Sequence, residues 1–171
     1  RLSDVYGHFD PDDPDTLVGG SSWDLSAAAY KSHPKDVEIV IAIIDSGIDY
    51  QHKDILKSMW INRGEAVSNL RNNGIDDDEN GYVDDLYGYD FCKRAGEAAT
   101  YKKADPGTSR GTMCAGIIAA KGKINGVVGE KRVKLMSLKV TEDENQDRAA
   151  DVKNAIEAIE YAERNGAQIC N

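Results

Sequence analysis

The chain has 171 residues, 40% of them hydrophobic, and its 30 acidic residues against 21 Lys and Arg leave a net charge of −9. That length and apolar content suffice for one sizeable core, while the acidic balance and a pI near 4.8 argue against nucleic acid or an anionic membrane surface as partners. No apolar run reaches the roughly 18 residues of a membrane span, so none is expected, and the excess carboxylate leaves hard cations as candidate ligands.

The sequence opens at Arg1 with no initiating Met and no signal-like segment, and so reads as a processed protein or a fragment. Residues 1–22 are polar and acidic, with Pro11, Pro14 and Gly19-Gly20 interrupting any regular element, and are expected to form an extended arm. Ser22 to Tyr30 fits a short helix capped by Ser22 or Asp24, so that residues 1–36 make an arm and helix ahead of the main domain.

Glu38 to Asp49, E-I-V-I-A-I-I-D-S-G-I-D, is an apolar β-branched run closed by a carboxylate and Ser-Gly, the pattern of a buried central strand ending in a turn. Chemistry in open α/β sheets gathers at such strand ends, which makes Asp45 a candidate catalytic residue. An Asp before Ser-Gly also caps turns by bonding to the following backbone, and the stretch alone leaves both roles open. Tyr50 to Ile61 carries Asp54 and apolar Ile55, Leu56, Met59 and Trp60, as in a short helix. His52 is seven residues past Asp45, and a turn so short favours a local hydrogen bond over partnership with that carboxylate.

Asn62 to Gly107 is rich in Gly, Asn and charge and is expected to be mostly loop. Within it, D-D-D-E-N-G-Y-V-D-D from Asp76 to Asp85 sets oxygen donors at alternating positions. Asp76, Asp78 and Asn80 could face one ion, Gly81 permits the bend, Tyr82 offers its backbone carbonyl, and Asp84 or Asp85 closes the shell. Hard oxygen donors favour calcium. The twelfth position is Tyr87, so this is not an EF-hand, and a solvated acidic loop is the alternative.

Thr108 to Lys121 reads as a helix capped by Thr108 or Ser109, and Lys134 to Val140 as a second strand. Asp147 to Arg164 is an amphipathic helix whose buried face is expected at Val152, Ala155, Ile156, Ile159 and Ala162, and Ala167 to Asn171 begins a third strand. Strands alternating with helices imply a parallel sheet. The three cysteines, Cys92, Cys114 and Cys170, lack metal-type spacing and are expected to be small buried thiols.

These pieces resemble the subtilisin-like serine proteases. I-A-I-I-D-S-G-I-D followed by H-K-D-I looks like the segment carrying the family's catalytic Asp. N-G-I-D-D-D-E-N-G-Y-V-D-D-L-Y-G is similar to an insert of a calcium-loaded branch. R-G-T-M-C-A-G-I-I-A-A aligns with the His-Gly-Thr-His-x-Ala-Gly helix, and N-G-V-V-G with V-K-L-M-S-L-K-V resembles the strand after it. The likeness runs from Val37 to Asn171. It implies a three-layer α/β sandwich with a parallel sheet, represented by its N-terminal portion in an incomplete catalytic domain over residues 37–171. It also implies a peptide or protein substrate or ligand, a place in the secretory pathway, and a calcium-binding role for Asp54.

The resemblance further implies a Ser-His-Asp triad, with Asp45 as its acid. The two motif histidines are Arg110 and Met113, and the alignment sets Met113 at the catalytic position. Methionine has no proton-accepting nitrogen. The family's oxyanion-hole Asn and nucleophilic Ser fall beyond Asn171. The expectation is therefore a protease homologue without peptidase activity, either catalytically dead or part of an enzyme with a rebuilt triad; the alternative is a calcium-stabilised binding module. Arg110 is expected to face solvent, with a salt bridge to Asp45 as the other possibility.

Overall fold

The computed structural model describes residues 16–17, 21–22, 38–67, 72–96, 109–121, 133–141 and 148–171. The helix expected over Ser22 to Tyr30 and the Thr108 cap lie outside them. Strands β1 (Thr16–Leu17) and β2 (Ser21–Ser22) pair antiparallel inside the segment read as an arm. Strands of two residues are too short to leave a periodicity in sequence.

The protein is an α/β fold. Its parallel sheet consists of β3 (Ile39–Asp45), β4 (Gly88–Asp90), β5 (Val133–Lys139) and β6 (Ile169–Cys170) in the order β4-β5-β3-β6. β3 and β5 match over their whole length, from Ile39 opposite Val133 to Asp45 opposite Lys139. β4 was not anticipated: it is three residues in an acidic loop, and it enters the ladder because Gly88 lies so close to β5 that a Cβ would sit 1.8 Å from the Ser137 carbonyl oxygen.

Alternation along the strands sends side chains to two cores. Ile41, Ile43, Val133 and Leu135 pack with Ala115 and Ala119 of helix α1 (Ser109–Ala119). Ala42, Met136 and Leu138 pack on the other face with Ala158, Tyr161 and Ala162 of helix α2 (Arg148–Arg164). The result is helix, sheet, helix, with β3 in the middle layer.

Two further expectations change. Between Tyr50 and Ile61 the helix shrinks to one 3₁₀ turn, Leu56–Ser58. Met59 is extended there and Trp60 N–H donates to the Leu135 carbonyl at 2.8 Å, so this segment joins the sheet. The second change concerns the face that α2 buries. Val152, Ile156 and Ile159 are 61%, 55% and 51% exposed, whereas Asn154, Ala158, Tyr161 and Ala162 are buried. Two alanines let the helix approach the sheet closely, and Tyr161 takes the position that has a hydrogen-bond acceptor beneath it.

Candidate functional site

β3 ends at Asp45, and its neighbours in register end in charge as well: Lys139 on β5, then Asp90 on β4. The ladder continues one step further, with Val140 N–H donating to the Asp45 carbonyl and Phe91 N–H to the Lys139 carbonyl. Three ionisable side chains therefore line the carboxyl ends of three adjacent strands. Lys139 Nζ is 3.6 Å from Asp90 Oδ2, with both side chains almost fully buried. That separation is an ion pair without a hydrogen bond, which is why Asp90 Oδ2 counts as unpartnered. Burial pushes Asp90 above the ordinary Asp range, partly opposed by the Lys93 N–H and the Lys139 charge.

Asp45 has a different partner. Its Oδ1 accepts the Ser46 N–H at 2.6 Å and Arg110 Nε at 2.7 Å. Arg110 reaches it because the first turn of α1 abuts the turn after β3. A Cβ on Gly111 would be 2.3 Å from the Gly47 carbonyl oxygen, and Thr112 Oγ1 accepts Asp49 N–H at 2.8 Å. Arg110 was expected to face solvent; it is 56% exposed yet paired, because only its inner nitrogen is needed for the contact. Met113, set by alignment at the base position, lies one turn further along α1 and is 60% exposed. Among the described contacts of these two motif positions, the one to Asp45 is made by Arg110.

A guanidinium stays protonated and carries no acceptor. This arrangement can hold and neutralise Asp45, but it cannot take a proton from a hydroxyl. His52 is exposed, and its Nδ1 accepts the Asp54 N–H at 3.3 Å, a local turn contact. The cysteines form no disulfide, and Cys92 and Cys114 are half-buried and Cys170 exposed rather than buried.

The acidic loop folds on its own carboxylates. Asp76 accepts N–H groups of Asn80 and Gly81 at 3.0 and 2.7 Å, and Asp84 accepts those of Asn73 and Gly74 at 2.9 and 3.0 Å. Gly81 has φ of +93°, the left-handed bend expected of it. Asn80 Oδ1 accepts the Tyr82 N–H at 2.7 Å, and the Tyr82 ring stacks edge-on against Tyr89 and Tyr161, both at 4.8 Å.

Oxygens of Glu65, Asp76 and Asp78 lie within 4.8 Å of one another. Asp84 and Asp85 are outside this group, and so is Asp54, which sits in the turn after β3. Glu65 is fully buried; its Oε1 accepts the Asp77 N–H at 3.0 Å, and its Oε2 has no partner. Burial, then the charges of Asp85, Asp77 and Asp78, push Glu65 above the ordinary Glu range against the pull of the Asp77 N–H. Glu65 thus brings a buried carboxylate with one donorless oxygen to a group with two more carboxylates, and such an all-oxygen set fits a hard cation. Sequence spacing missed Glu65 because it precedes Asp76 by eleven residues and belongs to no alternating pattern; its signal would have been a lone acid in N-R-G-E beside the loop.

Asp85 is also fully buried but completely partnered. It accepts Asn62 Nδ2 at 2.7 Å, Asn80 Nδ2 at 3.0 Å and the Tyr161 hydroxyl at 2.5 Å. Burial raises it, and these three donors pull it back.

Comparison with known proteins places the chain in context. The model of the Subtilase family matches residues 36–171. The chain is 34% identical over 135 residues to "Subtilisin-like protease 1" of Plasmodium berghei (strain Anka), a match covering 77% of the chain and 20% of that protein. Its counterpart in Plasmodium falciparum (isolate 3D7) is 34% identical over 133 residues, covering 77% and 18%, and that of Plasmodium vivax 34% over 119 residues, covering 68% and 18%. The match thus takes in about a fifth of the length of these curated relatives.

Proposed function

The chain belongs to the subtilase family, and from that premise we propose that it is a subtilisin-like serine endopeptidase homologue without peptidase activity, its catalytic base position taken by Arg110. The observation that carries this reading is Arg110 Nε at 2.7 Å from Asp45 Oδ1. In a Ser-His-Asp triad the Asp orients an imidazole, which takes and returns the serine proton. Here the orienting oxygen is engaged by a group with no lone pair. The reading moves the base position from Met113 to Arg110; neither side chain can do the work.

The scaffold that remains suits the binding of peptide or protein ligands, the substrate class of the family, without cutting them. A calcium-stabilised binding module is the use such a scaffold retains. Among the described residues no helix is long and apolar enough to cross a membrane, and family membership supports a place in the secretory pathway.

We further propose one calcium ion held by Glu65, Asp76 and Asp78, supported by the orphaned Glu65 Oε2. The ion would supply the countercharge that the three carboxylates lack and fix the loop. Asn80 and the Tyr82 carbonyl remain candidates to complete its shell, while Asp84 and Asp85 serve the loop backbone and the core.

Two measurements test this. Incubation with peptide substrates and a serine-reactive probe is expected to give neither cleavage nor labelling, and serine-reagent-sensitive cleavage would overturn the reading. Calorimetric titration of metal-stripped protein with calcium is expected to give uptake that disappears in Asp78→Ala and Glu65→Gln. Absence of heat in the unsubstituted protein would remove the calcium site.

A further inference from the structure

Asp78 stands at the edge of the carboxylate group, and its Oδ2 accepts two side-chain amides, Asn62 Nδ2 at 2.8 Å and Asn80 Nδ2 at 3.2 Å. Each of those amides spends its other hydrogen on Asp85, one on each carboxylate oxygen. Asp85 Oδ2 also receives the hydroxyl of Tyr161, a fully buried residue on α2, 76 positions along the chain. An unbroken run of hydrogen bonds therefore joins Asp78 to α2.

Each member has a fixed task. Both N–H donors of each amide are directed here, and Asp85 shares the task of orienting them with the backbone, since Asn62 Oδ1 accepts the Gly64 N–H and Asn80 Oδ1 the Tyr82 N–H. Asp85 in turn is fully buried and already accepts three hydrogen bonds, so it is poorly placed to bind an ion itself. Tyr161 fixes Asp85 from below, with its ring packed against Tyr82, whose backbone N–H is bonded to Asn80. The two arms leave Asp85 and Tyr82 separately and meet again at Asn80.

We propose that Tyr161 and Asp85 are positioning residues for the cation site, and that cation binding at Glu65, Asp76 and Asp78 is thereby coupled to the stability of α2. The proposal rests on the calcium reading of the loop. Coupling is reciprocal: if α2 orients Asp78 through Tyr161, then an ion on Asp78 must tighten α2.

The test compares calcium titrations of the unsubstituted protein, Asp85→Asn and Tyr161→Phe, with amide hydrogen exchange of α2 recorded with and without calcium. Partners that orient metal ligands alter affinity on the order of 10-fold when removed; that loss is expected for Asp85→Asn and a several-fold loss for Tyr161→Phe. Calcium is expected to slow exchange around Tyr161 in the unsubstituted protein and to do so far less in Tyr161→Phe.

A purely structural Tyr161 would lower the melting temperature equally with and without calcium and leave the affinity unchanged. That result, in a folded variant, overturns the coupling while the site itself stands. If Tyr161→Phe does not fold, exchange in the unsubstituted protein decides, and calcium-independent exchange in α2 overturns the proposal. No calcium uptake by the unsubstituted protein removes the loop reading and the coupling together.

Discussion

At the end of β3 the carboxylate of Asp45 finds its countercharge inside the chain, in Arg110, while oxygens of Glu65, Asp76 and Asp78 gather within 4.8 Å of one another. The two regions respond to the same physics in opposite ways. An acid held at a strand end needs a partner, and a resident arginine meets that need permanently but removes any group that could accept a proton. An acid cluster closed by backbone N–H groups keeps its shape and leaves the charge for an ion to neutralise. On the proposed reading, one region is locked by its own sequence and the other is open to control from outside.

The sharpest way to break this contrast is to unlock the first region. In a longer product that carries the family's nucleophilic serine, Arg110→His is expected to raise peptide hydrolysis by several orders of magnitude, since removing the base from subtilisin itself costs on the order of 10⁶ in turnover. Met113→His alone is expected to stay at background because Arg110 still occupies Asp45. Turnover of a chromogenic peptide by the two variants decides it, and activity from Met113→His with Arg110 retained would return the base position to Met113.

The Asp90–Lys139 pair lies between the two cases, internally matched but not hydrogen-bonded. Removing one partner of a buried pair costs about 3–5 kcal/mol, and Lys139→Met is expected to lose that much at neutral pH in urea denaturation. The sign with pH follows from Asp90, which burial raises above its ordinary 3.8. A raised acid favours the folded state at low pH and loses that contribution as pH rises through its folded value. Deleting the Lys139 charge raises Asp90 further, so Lys139→Met is expected to be less destabilising at pH 5 than at pH 7. The reverse order would show that Lys139 is not what offsets Asp90.

For the open region, calcium at about 100-fold excess over its dissociation constant adds about 2.7 kcal/mol of stability. Melting with calcium and with chelator is expected to differ accordingly in the unsubstituted protein and to coincide in Glu65→Gln. A calcium shift that survives Glu65→Gln would mean that the buried oxygen is not a ligand.

Much of the fold could be read from apolar runs, and the misses have a common cause. β3, β5 and α2 are long enough to carry a pattern, and their observed limits fall within a residue or two of those expected. β4 is three residues of G-Y-D whose inclusion depends on close approach to Ser137, a tertiary fact. The buried face of α2 was misread because isoleucines outweigh alanines on any hydropathy count, whereas close packing and the Asp85 acceptor under Tyr161 settled the rotation. At the sites, Asp45, Asp76 and Asp78 stand in recognisable motifs. Glu65 does not, and which of Arg110 and Met113 meets Asp45 depends on how the first turn of α1 abuts Gly47.

The smallest expected effect concerns the lock itself. Arg110 is 56% exposed while Asp45 is 17% exposed, so the pair is screened from one side and its long cationic chain must be ordered to form it. A double-mutant cycle of Arg110→Gln and Asp45→Asn is expected to give a coupling of about 0.2–1 kcal/mol in urea denaturation. Asp45 also keeps the Ser46 N–H at 2.6 Å when Arg110 is removed, which limits the loss further. A coupling of several kcal/mol would mean that Arg110 holds α1 to β3, and Arg110→His would then be expected to unfold the site before it could restore a base. A small coupling means that the residue which closes the chemistry is nearly irrelevant to the fold, so the one exchange can reverse the function while leaving the scaffold in place.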